Sequence, residues 1–406
     1  MSWSMWPPKR PDLGAFDLAF AARACLVGPD AEEVEDRLEA RWAPGRTLAT
    51  LSVRSAFDLF LAAADLRPGD EILFSGLTVG DMPRIARHHG LVPIPVDVEL
   101  ETVTPALPTL EAALTPRARV LVLANLFGGR GPVEALIRRA REEGLLVVED
   151  DAQAFDGGEW RGHPGVDVSL VSFGSIKTAT ALGAGLARVD RPELLEAMRT
   201  RQEAWPRQSA AAFLQRVLRY AVITGGALPA AYGGIVRAVR AVGADHEAVL
   251  HETTRGFPDA DLLQGIRRRP SAPLLALLER RLRRGSRRLD RRRALGQAMV
   301  ERLGEEVSVP GRRQEAHQHW LTPVLSRDPD GLIDALRRLG YDATRGRSLV
   351  AVQGGTPPDP DRVGEVARRI VGQVVFLPVD GAMSEEDIRR MADAVLGFEE
   401  AGRAAR

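Results

Sequence analysis

Val147-Val148-Glu149-Asp150-Asp151-Ala152-Gln153-Ala154 and the later Asp167-Val168-Ser169-Leu170-Val171-Ser172-Phe173-Gly174-Ser175-Ile176-Lys177 decide how this chain reads. Each holds a short apolar run of strand length, the pattern of a buried strand in a parallel sheet. The first run ends in carboxylates. The second is followed by a lysine, 27 residues after Asp150. Lysine and arginine together number 55, yet only Lys9 and Lys177 are lysines, leaving 53 arginines. A guanidinium stays protonated, whereas a desolvated ammonium can lose its proton and become a nucleophilic amine. Lys177 is therefore a candidate imine-forming residue; a surviving surface lysine is the plain alternative. A carboxylate at one strand end and a lysine just past the next suit pyridoxal phosphate. That cofactor needs an amine to hold its aldehyde and an acid to keep its ring nitrogen protonated.

These residues resemble the DegT/DnrJ/EryC1/StrS sugar aminotransferases, which are fold-type-I pyridoxal-phosphate enzymes. The family's E-D-A-A-Q-A, then S-F-x-x-x-K, stands here as Glu149–Ala154 and Ser172–Lys177. Pro68-Gly69-Asp70-Glu71 is similar to the family's G-P-G-D-E-V. Leu377-Pro378-Val379 with Ser384-Glu385-Glu386-Asp387 is similar to its L-P ending, and Ser384 is a helix-cap candidate. The resemblance implies an α/β fold: a large domain with a mostly parallel central sheet covered by helices, plus a smaller C-terminal α+β domain. It implies that Lys177 holds pyridoxal phosphate and moves the proton. Asp150 would pair with the pyridine nitrogen, and Gln153 would contact the ring. Ser172 and Ser55 would hold the phosphate, Ser55 at a helix start whose N–H groups can cradle an anion. Arg54 replaces the family's glycine there, adding charge. Val79 takes the place of an aromatic that stacks on the cofactor. Asn125 stands where the family has histidine, within reach of substrate or a subunit contact. The implied reaction moves an amino group, most readily from glutamate, to a keto-sugar that is nucleotide-linked. The implied assembly is a homodimer with active sites at the subunit boundary.

A chain of 406 residues suggests two domains. Zero formal net charge gives no global pointer to nucleic acid. One cysteine, Cys25, excludes an intrachain disulfide and fits a reducing compartment. The N-terminus lacks a basic region followed by an apolar core, and no long apolar run occurs, so a soluble cytoplasmic protein is expected. Residues 1–50 read as an N-terminal arm. Residues 51–265 read as the large cofactor-binding domain, with a helical insert at 205–250. Residues 266–293 read as an Arg-rich connecting helix, and 294–406 as the small domain. Strands are expected at Glu71–Phe74, Val92–Val96, Arg119–Leu123, Leu145–Glu149, Val168–Phe173, His319–Leu325 and Val374–Leu377.

Residues 267–293 carry twelve arginines against Glu279 and Asp290. A helix with a solvated basic face accounts for most of them. Arg267 and Arg268, ahead of Pro270, are the candidates for a phosphate-bearing substrate, because arginine forks suit phosphate oxygens. The segments Ala210–Ile223 and Leu228–Val242 are apolar with interspersed arginines. Core or subunit packing is the expected use, and a peripheral membrane contact through 210–242 is the alternative. His88-His89 and His317-x-His319 lack the cysteine or carboxylate support of a metal site, so no metal is expected. Gly128-Gly129-Arg130-Gly131 has the wrong spacing for a dinucleotide fingerprint. Two other functions stay open. One is a different pyridoxal-phosphate reaction, against which Lys177 argues, because the family's dehydratases carry histidine there. The other is a non-catalytic or membrane-docked member of the fold.

Overall fold

The computed structural model describes residues 4–241, 243, 262–283 and 287–404. A seven-stranded sheet forms the centre, in the order β1-β8-β7-β6-β5-β2-β4. Its strands are β1 (Thr47–Thr50), β2 (Glu71–Ser75), β4 (Val92–Val96), β5 (Ala118–Ala124), β6 (Leu146–Asp150), β7 (Val168–Ser172) and β8 (Gly185–Val189). From β4 to β7 every neighbouring pair is parallel, while β8 runs antiparallel to both β7 and β1.

Strand alternation sends successive side chains to opposite faces. Ile72, Phe74, Val120, Val122, Val148 and Leu170 share one core with α3 (Val53–Ala63), α4 (Asp81–His88) and α7 (Pro192–Glu203). Leu73, Leu121, Leu123 and Val147 share another with α5 (Leu107–Ala113) and α6 (Glu134–Glu142). Burial on both faces explains why these strands read as unbroken apolar runs. A further core joins α1 (Ala15–Val27) and α2 (Ala31–Trp42) to α8 (Ala210–Gly226) and the helix Ala272–Leu282. After α8 the chain turns by 97° into α9 (Pro229–Ala241).

The smaller C-terminal domain has its own core, built by Leu295, Met299, Val324, Leu336, Val375 and Met391. Its strands Thr322–Leu325 and Val374–Leu377 pair antiparallel. A further strand, Leu349–Ala351, pairs with β3 (Leu77–Val79) of the large domain. Ser384 caps the last helix, its hydroxyl accepting from Asp387 N at 3.1 Å while Asp387 Oδ2 accepts from Ser384 N at 3.0 Å.

Three expectations need correction. Residues 47–50 are a sheet strand, so the arm's last residues belong to the large domain. The stretch 266–293 is no single helix: Ala272–Leu282 and Arg287–Leu303 are separate. The strand expected from His319 starts only at Thr322, because Ala316 and His319 hold positive φ, 47° and 46°.

Candidate active site

Asp150 ends β6, Ser172 ends β7, and Asn125, Gln153 and Lys177 follow strand ends. All five thus gather at the carboxyl edge of the parallel strands, where open α/β sheets bind ligands. Alternation divides them. Asp150 and Ser172 share the parity of Val148 and Leu170, so they face α3. Glu149 and Asp151 face the other way, and one amide binds both: Asn125 Nδ2 donates to Glu149 Oε1 at 2.9 Å and to Asp151 Oδ1 at 2.8 Å.

The loop carrying Lys177 is held from four directions. Trp320 Nε1 donates to Ile176 O at 2.9 Å. Arg292 Nη2 donates to Thr178 Oγ1 at 3.0 Å. Ala179 N donates to Asp12 Oδ2 at 2.8 Å. Tyr220 of α8 bonds Ser175. Ala179, Leu182 and Ala184 hold positive φ in this loop, a backbone cost that surrounding contacts must sustain. The Lys177 Nζ lies 3.9 Å from the centroid of the Trp320 ring.

Lys177 keeps some exposed surface but is densely surrounded. Burial pulls its ammonium down to about 7; Asp150 opposes that shift and Arg54 adds to it. Burial also raises the Asp150 carboxyl, against the N–H of Ala152, which donates to Oδ1 at 3.0 Å, and against the Lys177 charge. Each of the pair thus feels the other, and Arg54 acts on both. Arg54 stands in the first turn of α3 and ion-pairs with Asp81 at 2.5 Å. Gly185 lets that turn sit on β8: a Cβ there would lie 2.7 Å from Val53 N.

The phosphate side differs from expectation. Ser52 caps α3, its Oγ accepting from Ser55 N at 3.2 Å. The Ser55 hydroxyl is wholly buried and donates to Ile266 O at 2.7 Å. Ser55 is therefore corrected from a phosphate contact to a tie between α3 and Ile266. Ser172 Oγ accepts from Gly174 N at 3.3 Å, and Gln153 Oε1 accepts from Phe127 N at 2.9 Å. Val79 lies half-buried opposite Leu349. Asn125 has both amide hydrogens on buried carboxylates, while its Oδ1 accepts from Gly131 N at 3.4 Å.

Arg267 forms a two-pronged pair with Asp58, at 2.9 Å through both Nε and Nη2, and His89 joins the same carboxylate at 2.8 Å. It is thereby committed within the chain. Arg268 is exposed. The basic stretch behind them is largely neutralised: Arg280 and Arg281 pair with Asp17, Arg283 with Glu279, and Arg288 with Asp380. The expected positive field is accordingly weaker than the sequence suggests. We expect Arg267→Ala to lower unfolding free energy by about 1–3 kcal/mol, since it leaves buried Asp58 a weaker partner set. The lower end is favoured because the Arg267 side chain is itself 38% exposed. Urea titration reads this, and an unchanged midpoint contradicts it.

Sequence reasoning missed Trp320, Arg292 and Lys9. The Lys9 Nζ donates to Trp320 O and lies 5.1 Å from the centroid of the indole that Lys177 also approaches. Burial lowers its ammonium well below the ordinary value, with Arg292 adding to the effect. The signal was present, because Lys9 is the other lysine kept among 53 arginines.

A mostly parallel sheet flanked by helices, with a small α+β domain behind it, is the fold of the type-I aminotransferases. The aminotransferase TlmJ from Streptoalloteichus hindustanus superposes with a TM-score of 0.70 over 99% of both chains at 18% identity. PseC from Helicobacter pylori, an aminotransferase involved in the biosynthesis of pseudoaminic acid, gives 0.70 over 98% of this chain and 100% of that one, at 15% identity. The sequence model of the DegT/DnrJ/EryC1/StrS aminotransferase family matches residues 14–221, and the chain belongs to that family. It is also 28% identical over 158 residues to the UDP-2-acetamido-2-deoxy-3-oxo-D-glucuronate aminotransferase of Pseudomonas aeruginosa. That match covers 39% of this chain and spans less than half, 44%, of the relative.

Proposed function

We propose that this chain is a pyridoxal-phosphate-dependent aminotransferase that moves an amino group from an amino acid, with glutamate the first choice, to a nucleotide-linked keto-sugar. The observation that carries the proposal is the Lys177–Asp150 pair. One is a buried amine pulled to about 7, and the other is a buried acid at the adjoining strand end. This donor set fits the aldehyde and ring of the cofactor, which when bound supplies an electron sink for the substrate carbon. Lys177 would hold the cofactor and, as a free amine, take and return the proton at the substrate carbon. Asp150 would keep a proton on the ring nitrogen, and Gln153 and Val79 would border the ring. With Ser55 turned away, Ser172 and Arg54 are left to hold the phosphate. Trp320 fixes the Lys177 loop and limits how far the amine can swing.

The test combines absorbance with turnover. Purified protein given pyridoxal phosphate should develop a band at the violet edge of the visible and then aminate a member of a panel of nucleotide-linked keto-sugars with glutamate. No band favours a non-catalytic use of the fold. Asp150→Asn should keep the cofactor bound yet lower turnover by about 10²–10³-fold, the scale of losing one preorganised electrostatic group. Asp151→Asn should act on stability instead. If the two effects are exchanged, the assigned faces are wrong. Arg268→Ala should raise the Michaelis constant for the keto-sugar without moving the absorbance band.

A homodimer fits the surface. Phe16, Leu26 and Val27 on α1, and Leu218, Val222 and Ile235 on α8 and α9, are exposed, and α1 packs against α8. An apolar patch of this kind marks a protein or membrane contact. Among the described residues no single helix is long and apolar enough to cross a membrane. A second copy of the chain is the occupant we favour. Light scattering should give twice the 44.1 kDa chain mass, and Val222→Glu with Phe16→Glu should halve it. A monomeric parent that floats with anionic vesicles would assign the face to lipid instead.

A further inference from the structure

Lys9 and Arg292 stand beside the Lys177 loop with no acid of their own. Lys9 donates to Trp320 O, and Arg292 donates to Gln318 O and Thr178 Oγ1. Among the described residues neither forms an ion pair, and Arg292 Nη1 has no partner. The acids whose charge reaches them, Asp12 and Asp380, are already engaged. Asp380 takes Arg10 at 3.4 Å and Arg288 at 2.6 Å, and Asp12 takes Arg281 at 3.1 Å and the N–H of Ala179 at 2.8 Å. Arg292 is 8% exposed. Burial draws its guanidinium down to about 10 and holds the Lys9 ammonium well below its ordinary value, with Arg292 the next cause for Lys9. Buried charge is normally paired, because leaving water uncompensated is costly. The chain supplies no acid for these two cations, so the partner they suit is an anion that comes from outside.

The fold fixes where that anion would sit. The arm is tied on both sides of Lys9. Before it, Met5 N donates to Pro229 O at 3.0 Å and Trp6 N to Gly340 O at 2.8 Å; after it come the ties of Arg10 and Asp12. The Lys9 and Lys177 amines approach one indole, at 5.1 Å and 3.9 Å from its centroid, and Arg292 holds the residue after Lys177. The nitrogen proposed to hold the cofactor and the two unpaired cations thus border on one side chain. An α-amino acid carries its amine and its carboxylate on a single carbon, so with the amine at the Lys177 position its carboxylate stays close by. The phosphates of a nucleotide-linked sugar sit on the anomeric carbon, remote from a keto carbon elsewhere on the ring, and are the poorer match. Carboxylate oxygens accept, which is what an ammonium and a free guanidinium nitrogen require.

We propose that Lys9 and Arg292 form the subsite for the α-carboxylate of the amino donor, an inference that rests on the transferase reading above. Lys9 is then a substrate-binding residue delivered by the N-terminal arm, and not a second imine former. A bound carboxylate gives both cations the counter-charge that the chain itself withholds.

Two measurements test this. The first needs no cofactor: calorimetric titration of the full chain with glutarate, with glutaramide as the uncharged control and inorganic phosphate as the competing anion. Glutarate should bind saturably and glutaramide should not. Lys9→Met, which keeps the length and removes the charge, should weaken glutarate about tenfold or more, the scale of one hydrogen bond to a charged group. Lys9→Arg should retain binding, and Arg292→Gln should weaken it independently should the methionine variant fail to fold. The second follows the absorbance band of cofactor-loaded protein as glutamate, glutamine or isoglutamine is added. Lys9→Met should raise the glutamate and glutamine concentrations needed to discharge the band by about tenfold. Isoglutamine, whose α-carboxylate is replaced by an amide, should respond equally in variant and parent. A protein that never develops the band fails the transferase reading, and the glutarate titration still decides the carboxylate subsite. The proposal is overturned if glutarate does not bind the parent, if phosphate binds in its place, if the Lys9→Met and Arg292→Gln variants bind glutarate like the parent, or if the loss in Lys9→Met falls equally on isoglutamine.

Discussion

Lys177→Ala should lower turnover by at least about 10²–10⁴-fold, the span that a positioned general acid–base contributes. Lys177→Arg should be no better, although it keeps charge and approximate length. A guanidinium does not release its proton, so it can neither hold an aldehyde nor take a proton from carbon. The remaining contacts of the loop do not depend on the amine. Trp320 still donates to Ile176 O and Arg292 to Thr178, so both variants should fold. Activity, not stability, is therefore the quantity that moves.

The same residue should show a displaced titration. An ordinary lysine loses its proton near 10.5, whereas burial brings Lys177 to about 7. The amine is reactive only above that value. Capture of pyridoxal phosphate by the protein, trapped with borohydride and mapped by peptide mass, should thus climb through about pH 7 and flatten beyond it. Arg54→Gln should move the midpoint up, since Arg54 pushes it down, and Asp150→Asn should move it further down. A tag on Lys9, or a midpoint near 10, would remove the basis of the proposed function.

How far the sequence could carry this depended on which partners are close along the chain. The strands β2 and β4 through β7 were legible because burial on both faces leaves an unbroken apolar signature. β1 and β8 were not. Thr47–Thr50 is short, and Gly185–Val189 contains a glycine and a buried Arg188 whose guanidinium donates to Gly162 O and His163 O. The lysine and the acid were legible because a rare residue type and a strand end coincide. Three of the differences at basic and phosphate positions share one physical cause. Ser55 found Ile266, Arg267 found Asp58, and Arg280 found Asp17, each more than 200 residues apart. Motif position cannot reveal a partner of that kind, and an arginine-rich run looks solvated until the fold delivers its acids. Trp320 was invisible for the same reason, being 143 residues beyond the lysine it supports.

Asn125→Leu should lower the free energy of unfolding by about 3–5 kcal/mol, the largest stability effect expected in the large domain. One amide donates to two buried acids, Glu149 and Asp151, and a buried group left without its partner costs about 1–3 kcal/mol. Leucine fits the volume but removes both donors, and like charges then face each other once Glu149 ionises. The carboxyl of Glu149 is already pushed up to about 8, by burial first and Asp151 second, against the N–H of His163 and the Asn125 amide. The sign of the pH dependence follows. Between its ordinary value of 4.5 and about 8 the folded state binds the extra proton. The stability this group contributes is therefore complete below about 4.5 and is lost as pH rises through about 8. The parent should accordingly unfold at lower urea at pH 9 than at pH 6. Without the amide both acids resist ionisation more strongly, so the gap between variant and parent should widen at the higher pH. Urea titrations of both proteins at the two pH values measure this. If the leucine variant is as stable as the parent at both, and only its Michaelis constant changes, Asn125 is a substrate residue after all and the carboxylate pair is held by something else.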